Sequence, residues 1–188
     1  MELREVIYGR RSVRKYTEQK VERQQVEALL EAAVQAPSAM NSQPWSFVVI
    51  QDKERLKAYS DQAKAMMLPL CDVRPLFEKY RSLFTDPDYN IFYDAATLIV
   101  IYAKPAGPNP TVDCALAAQN IMLAARDMGL GTCWIGFAWG LFNDPAVKAD
   151  LGVPEGCQAV APLIVGYPQG EFRNMRKKAP EVMAWLEG

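Results

Sequence analysis

The 188-residue sequence contains no histidine. Histidine is the usual general base near neutral pH, a common metal ligand and a member of Ser-His and Cys-His nucleophile pairs. Its absence excludes all of those arrangements. If the protein is an enzyme, a group other than imidazole carries the chemistry.

Closely spaced cysteines are also missing. The four cysteines are separated by 43, 19 and 24 positions, so there is no Cys-x-x-Cys pair for zinc, an iron–sulfur cluster or disulfide exchange. We therefore expect no metal site. The four thiols are expected to be reduced and mostly buried: Cys71, Cys114, Cys133 and Cys157.

The charge is almost balanced and the apolar runs are short. With 21 basic and 22 acidic side chains the net charge is −1, so no overall field attracts nucleic acid or an anionic membrane. No apolar run reaches the ~20 residues that span a bilayer. Arg10 and Arg11 are not followed by the apolar segment of an export signal. We expect a cytoplasmic protein that binds neither nucleic acid nor membrane.

The apolar residues that are present outline one domain, over residues 1–188, that contains both helices and strands. Helical spacing predicts an amphipathic helix over 23–36, and continuous apolar runs predict buried strands at 47–50 and 97–103. Residues 109–129 form a helix that is apolar around most of its circumference, which favours contact with a second copy of the chain. A last strand contains Pro162, which favours either an edge position or a place among the first residues of that strand.

Two basic clusters lie at opposite ends of the chain. The first has four cations and a hydroxyl within six positions: Arg10, Arg11, Ser12, Arg14 and Lys15. The second consists of Arg173, Arg176, Lys177 and Lys178. Each is compatible with a solvated surface. Because guanidinium groups match phosphate oxygens in paired hydrogen bonds, two clusters in a neutral protein also favour a shared anion site.

Two further segments fit either a turn or a ligand contact. Residues 37–45 contain ordinary turn residues, but Asn41 and Gln43 offer amide groups that suit a heterocycle. The segment "GLGTCWIG" lacks the spacing of a dinucleotide fingerprint, and a helix-ending turn explains Gly129 and Gly131. Gly136 follows two bulky residues, where an exposed backbone N–H could meet a planar ligand.

Four motifs in order, "RRSVRKY", "APSAMNSQPWSFVVI", "GLGTCWIG" and "VGYP" followed by "RK", resemble the nitroreductase family of FMN-dependent oxidoreductases. The resemblance implies an α+β fold, with a central mixed β-sheet flanked by helices. It also implies an intertwined homodimer with two active sites at the interface.

The resemblance implies roles for particular residues. Contacts to the flavin phosphate and ribityl chain fall on Arg10, Arg11, Ser12, Arg176 and Lys177. Arg14 faces the pyrimidine edge, where a fixed positive charge raises the potential of the flavin. The partner's flavin is reached by Pro37, Ser38, Ala39, Asn41 and Gln43. The isoalloxazine lies along Trp134, Ile135 and Gly136, with a backbone N–H near N5. No side chain is assigned as a catalytic residue.

The implied activity is a ping-pong reaction in which NADH or NADPH reduces FMN, which then reduces a nitroaromatic, a quinone or a related small molecule. A flavin-dependent dehydrogenase or dehalogenase on the same scaffold and a flavin-binding electron-relay protein remain alternatives. A doubly wound nucleotide-binding domain is a third alternative, but the sequence lacks the phosphate-binding loop of such a domain. The aromatic segment 77–93, with Trp139, is either a substrate lid or core packing, and a flavin contact by Asn90 is left open.

Overall fold

A computed structural model describes residues 1–170 and 177–187 of the chain. In this part, eight α-helices surround one four-stranded sheet. The helices are α1 Leu3–Gly9, α2 Arg23–Ala33, α3 Lys53–Val73, α4 Pro75–Glu78, α5 Arg81–Thr85, α6 Pro110–Asp127, α7 Trp139–Phe142 and α8 Pro145–Asp150. The strands are β1 Trp45–Ile50, β2 Thr97–Ala103, β3 Gly131–Trp134 and β4 Gln158–Gly166. Two 3-10 turns lie at Ala39–Asn41 and Gly136–Ala138.

The sheet has the order β1-β2-β4-β3, and its three strand pairs are antiparallel. A mixed sheet was expected from the sequence. In the described residues the parallel component is limited to an isolated bridge between Ser12 and Thr132. The α+β class is confirmed, because the strands follow one another mainly through antiparallel pairing rather than through parallel crossovers.

The position of the last strand differs from the prediction. β4 lies between β2 and β3, although it contains Pro162. Pro162 lies opposite Val100 in β2, and its carbonyl accepts a hydrogen bond from the Ile135 N–H at 2.9 Å. The N–H and C=O of a strand residue point to the same side, so the missing N–H of Pro162 faces Ile135, just beyond Trp134, where the regular β3–β4 pairing ends.

Helices cover both faces of the sheet. All seven residues of β2 are buried, and they alternate between a cluster with α2 and α6 and a cluster with α3 and α7. The coverage predicted for both strands is complete for β2. It is partial for β1, since β1 is an edge strand whose Val49 is 38% exposed. On α6, Val112 and Leu116 remain 59% and 40% exposed.

The segment after α1 is held against the end of the sheet. The Val13 N–H donates to the Thr132 carbonyl at 2.9 Å, and the Gln169 N–H donates to the Lys15 carbonyl at 2.9 Å. A Cβ at Gly131 would lie 2.7 Å from Cγ2 of Val13. Gly131 is therefore required for close packing of this segment, rather than for the helix-ending turn, where Gly129 has a φ of 76°.

Among the described residues, no helix combines the length and the apolar character that crossing a membrane requires.

Candidate functional site

A cleft of about 870 Å³ opens where the first basic cluster meets the end of β3. Its lining includes four of the residues singled out in the sequence: Arg14, Trp134, Ile135 and Gly136. The opposite wall comes from the end of α3 and from residues 74–80. Cavities of 300–1,000 Å³ are typical of small-molecule sites. The fold thus brings two distant motifs to one concave surface.

Arg14 has a fixed backbone within this cleft. Its neighbours Val13 and Lys15 both make the backbone hydrogen bonds described above. The guanidinium carbon lies 6.0 Å from the ring centroid of Tyr93, and the Tyr93 and Tyr89 hydroxyls are 3.2 Å apart. Burial raises the pKa of the Tyr89 phenol, and the hydrogen bond with Tyr93 adds to this effect. The positive charge of Arg14 is therefore held on a fixed backbone beside the Tyr93 ring.

Gly136 lies at the opposite end of β3 from Gly131 and begins a 3-10 turn. The first N–H groups of a helix have no acceptor within the helix. A Cβ placed on Gly136 would meet nothing within 4 Å, so the space above this backbone is open. Ile135 before it is 4% exposed and is bonded to Pro162, while Trp134 is 37% exposed. A planar ligand can approach the backbone here without displacing a side chain.

Arg10 and Ser12 of the first basic cluster act on the Cys133 thiol together with Arg14. Burial raises the pKa of Cys133, and this shift is opposed by the charge of Arg14, by a hydrogen bond with Ser12 and by the charge of Arg10. Arg11 is directed toward α1, where its Nη1 donates to the carbonyls of Tyr8 and Arg10 at 2.6 Å each. Arg10, Ser12 and Arg14 thus share one neighbour, Cys133, at the end of the cleft that β3 forms.

The loop at residues 37–43 has a strained and well-bonded backbone. Met40, Asn41 and Gln43 have φ values of 54°, 54° and 44°, in the left-handed region. The Ser38 hydroxyl accepts from the Gln43 N–H at 3.0 Å, and the Gln43 side chain donates to the Asn41 side chain at 3.0 Å. Such a conformation persists only when surrounding contacts determine it.

Asp113 on α6 supplies those contacts. It is 3% exposed, and its carboxylate accepts from the Ala39 N–H at 3.1 Å and from the Ser42 hydroxyl at 3.4 Å. Asp113 was not identified from the sequence. The available signal was an acidic residue in the first turn of a largely apolar helix.

Within one chain, the loop at 37–43 and the cleft lie at opposite edges of the sheet. The loop leads into β1, and the cleft adjoins the end of β3. Three strand spacings separate these edges, which is about 14 Å. Pro37, Ser38, Ala39, Asn41 and Gln43 are thus not brought to the Arg14 cleft by their own chain.

Of the second basic cluster, Lys177 and Lys178 are among the described residues. Arg173 and Arg176 lie outside the described residues, and Lys177 is exposed in an irregular segment. Asn90 lies in a second cleft of about 720 Å³, where its side-chain amide donates to Asp94 at 2.8 Å. Asn90 does not line the Arg14 cleft.

Some residues of the aromatic segment 77–93 line the Arg14 cleft, and others pack in the protein core. Phe77, Tyr80 and Tyr93 line the cleft, together with Trp139. Phe84 and Phe92 are buried, at 3% and 0% exposure. Arg74 also lines the cleft and was missed in the sequence, because nothing distinguishes it from other charged residues near a helix end.

The cysteines were predicted correctly. All four are free and buried. Among residues 1–170 and 177–187, no group of three or more cysteine or acidic residues is arranged to hold a metal ion.

Comparison with known proteins gives concordant results. Residues 7–167 match the sequence model of the Nitroreductase family. A protein of Archaeoglobus fulgidus, provisionally named NADH dehydrogenase/NAD(P)H nitroreductase, is 33% identical over 172 residues, which cover 88% of this chain and 85% of that protein. The 4-nitrobenzoate reductase of a Nocardioides species is 28% identical and covers 88% and 80%. A nitroreductase from Bacteroides fragilis, whose crystal structure contains bound FMN, superimposes with a TM-score of 0.84 at 28% identity, over 100% of both chains.

Proposed function

Because the chain belongs to the nitroreductase family, we propose that it binds FMN in the Arg14 cleft and uses NADH or NADPH to reduce a small aromatic acceptor. The observation that carries this proposal is the meeting of the Arg14 guanidinium and the open backbone of Gly136 in one cleft of about 870 Å³. We treat residues 1–188 as a single FMN-binding domain.

The residues present fit a flavin. The cleft offers a fixed cation for the electron-rich pyrimidine edge, an N–H at the start of a 3-10 turn for N5, and Trp134 and Ile135 along the ring. When bound there, FMN would supply two-electron hydride chemistry between NADH or NADPH and the acceptor, in a ping-pong sequence. For a nitro group the overall change is R–NO2 + NAD(P)H + H⁺ → R–NO + NAD(P)⁺ + H2O.

Arg14 has the main electrostatic role in this proposal. Negative charge develops at the N1–C2=O edge of the ring on reduction, so a guanidinium that is already in place stabilises the reduced state more than the oxidised state. Arg10 and Ser12, which flank Cys133 with Arg14, are suited to the ribityl and phosphate groups. We assign Arg11, Arg176 and Lys177 to the phosphate as well.

We further propose that the active protein is a homodimer. One chain places the loop at 37–43 about 14 Å from the β3 edge, so its Ser38, Asn41 and Gln43 are available to the flavin of a second copy. The exposed Val112 and Leu116 on α6 supply apolar surface for such a contact. Burial of a helix that is apolar on several sides requires cover from outside the chain.

The acceptor is expected to be flat. Phe77, Tyr80 and Trp139 border the same cleft, and aromatic side chains bind planar molecules by stacking. Nitroaromatics and quinones have this shape. The Nocardioides relative named above is a reductase of one nitroaromatic acid.

The cofactor proposal is tested with purified protein, which should be yellow or become so with added FMN. Protein that binds no FMN would overturn the proposal. In Arg14→Gln, loss of one charge-assisted hydrogen bond, about 1.5–3 kcal/mol, corresponds to a flavin potential about 30–60 mV lower.

Lys15→Gln is the matched control, because Lys15 is an exposed cation next to Arg14 that does not line the cleft. Its potential should equal that of the wild type. An equal potential in Arg14→Gln would remove Arg14 from the assigned role.

A further inference from the structure

The charge of the cleft is of one sign. Among the described residues, its charged lining side chains are Arg14 and Arg74, and no carboxylate borders it. The remaining lining is largely aromatic and aliphatic. If Arg14 is engaged by FMN, as proposed above, Arg74 is the cation that is left to meet an acceptor.

Neighbouring carboxylates do not neutralise Arg74. The acidic residues nearest to it in sequence, Asp72 and Glu78, both bind Arg81, at 2.6 Å and 2.8 Å. In the described part of the chain, the Arg74 guanidinium itself forms no hydrogen bond or ion pair. Its donors therefore face the cleft region with only solvent as a partner.

The backbone of Arg74 is fixed, although its side chain is exposed. Arg74 joins α3 to α4 in an extended conformation, with φ −131° and ψ 106°, as expected for a residue before a proline. Its N–H donates to the Leu70 carbonyl at 2.9 Å, and its carbonyl accepts from the Phe77 N–H at 2.9 Å. The guanidinium thus extends from a defined point next to an aromatic side chain of the cleft.

We propose that the acceptor is an aromatic anion, whose ring stacks in the cleft and whose carboxylate binds Arg74. This inference rests on the proposed function and specifies its substrate class. A guanidinium forms two parallel hydrogen bonds with a carboxylate, and these gain strength where stacking removes water. The reducible end of the molecule is then directed away from Arg74, toward Gly136.

The test compares 4-nitrobenzoate with its neutral isostere 4-nitrobenzamide, using the FMN-loaded protein and NADH or NADPH. At low salt we expect kcat/KM to favour the anion by about 5- to 10-fold, mainly through KM. The ratio should fall as salt screens the charge. In Arg74→Gln the ratio of kcat/KM for the anion to kcat/KM for the amide should fall to about one, and Arg74→Lys should restore part of the preference.

Lys79→Gln is the control. Lys79 is an exposed cation in the same segment; its Nζ lies 5.0 Å from the ring centroid of Tyr80, and it does not line the cleft. Its preference for the anion should match that of the wild type. Equilibrium binding of 4-nitrobenzoate and the amide, measured by calorimetry on the oxidised protein, should show the same pattern without turnover.

The possible failures are distinguishable. If the amide is reduced but the wild type shows no preference for the anion, or if the preference survives in Arg74→Gln, this inference is wrong and the proposed function stands. If neither nitro compound nor a quinone is reduced by FMN-loaded protein, the proposed function itself is wrong, and the inference falls with it.

Discussion

Replacing Asp113 by alanine should release the loop at 37–43 without unfolding the protein. The buried carboxylate accepts a charge-assisted hydrogen bond from the Ala39 N–H and a longer bond from the Ser42 hydroxyl. The first is worth about 1.5–3 kcal/mol, and the second about 0.5–1 kcal/mol. Asp113 therefore supplies about 2–4 kcal/mol to the loop conformation.

The backbone of the loop costs a similar amount. Met40 and Gln43 are held in the left-handed region, at about 1–2 kcal/mol each, whereas Asn41 tolerates it. Without Asp113 these two terms no longer balance, so the loop should adopt other conformations. Because 1.4 kcal/mol is a factor of ten, we expect amide exchange in the loop to accelerate about 30-fold or more. If the loop contacts FMN in a dimer, FMN binding should weaken as well.

Hydrogen exchange with mass spectrometry measures this directly. Asp113→Asn retains an oxygen acceptor and should lie between the wild type and Asp113→Ala. Asp127→Ala is the control on the same helix, since Asp127 is half exposed and pairs with the N-terminal ammonium at 2.6 Å. The reasoning would be refuted if Asp113→Ala lowered the stability of α6 but left exchange in the loop at the wild-type rate. Asp113 would then act only on the helix dipole.

Two further predictions concern packing and pH. In Gly131→Ala, the new Cβ would lie 2.7 Å from buried Val13, so the free energy of unfolding measured by urea titration should fall by about 1–3 kcal/mol. Gly156→Ala is the nearly neutral control, because a Cβ there has its nearest contact at 3.5 Å. Equal stability of the two variants would contradict the close packing at Gly131. Burial, aided by the charge of Asp113, raises the pKa of the Cys114 thiol from 9.0 to about 12. Above pH 9 the Cys114 thiol loses its proton in the unfolded chain but keeps it in the folded chain, so the free energy of unfolding should fall between pH 9 and 12. The fall should be less steep in Cys114→Ala. Parallel pH profiles of the two proteins would contradict the raised pKa of Cys114.

The outcome for Arg14 and Asp113 shows how far sequence reasoning extends. Arg14 belongs to a dense cationic motif whose chemistry is readable locally, and the structure indeed places it in a cleft with Gly136. Asp113 is one acidic residue at the start of a helix, and its partner Ala39 lies 74 residues away. A contact between such distant residues leaves no local pattern. The role proposed for Arg74 also leaves no local pattern, because it depends on the ion pairs that Arg81 forms with both neighbouring carboxylates.

The sequence predicts that a segment is a strand, but the place of that strand in the sheet depends on the tertiary structure. The continuous apolar run at 97–103 was sufficient to predict β2, because a strand without polar residues must be covered on both faces. The central place of β4 was not predictable from Pro162, since this proline is tolerated because the β3–β4 pairing ends at Trp134, and the length of that pairing is a property of the tertiary structure.

The sequence alone determined the longest apolar elements (α2, α6, β1 and β2), the family and the basic motif near the N-terminus, because each depends on residue type and spacing over short stretches. Only the tertiary structure decided which motifs share a surface. It places Arg14 and Gly136 in one cleft, and it separates both from the loop at 37–43 by the width of the sheet. The physical reason is that pairing order and side-chain contacts between distant segments depend on how all elements pack together, which local periodicity does not encode.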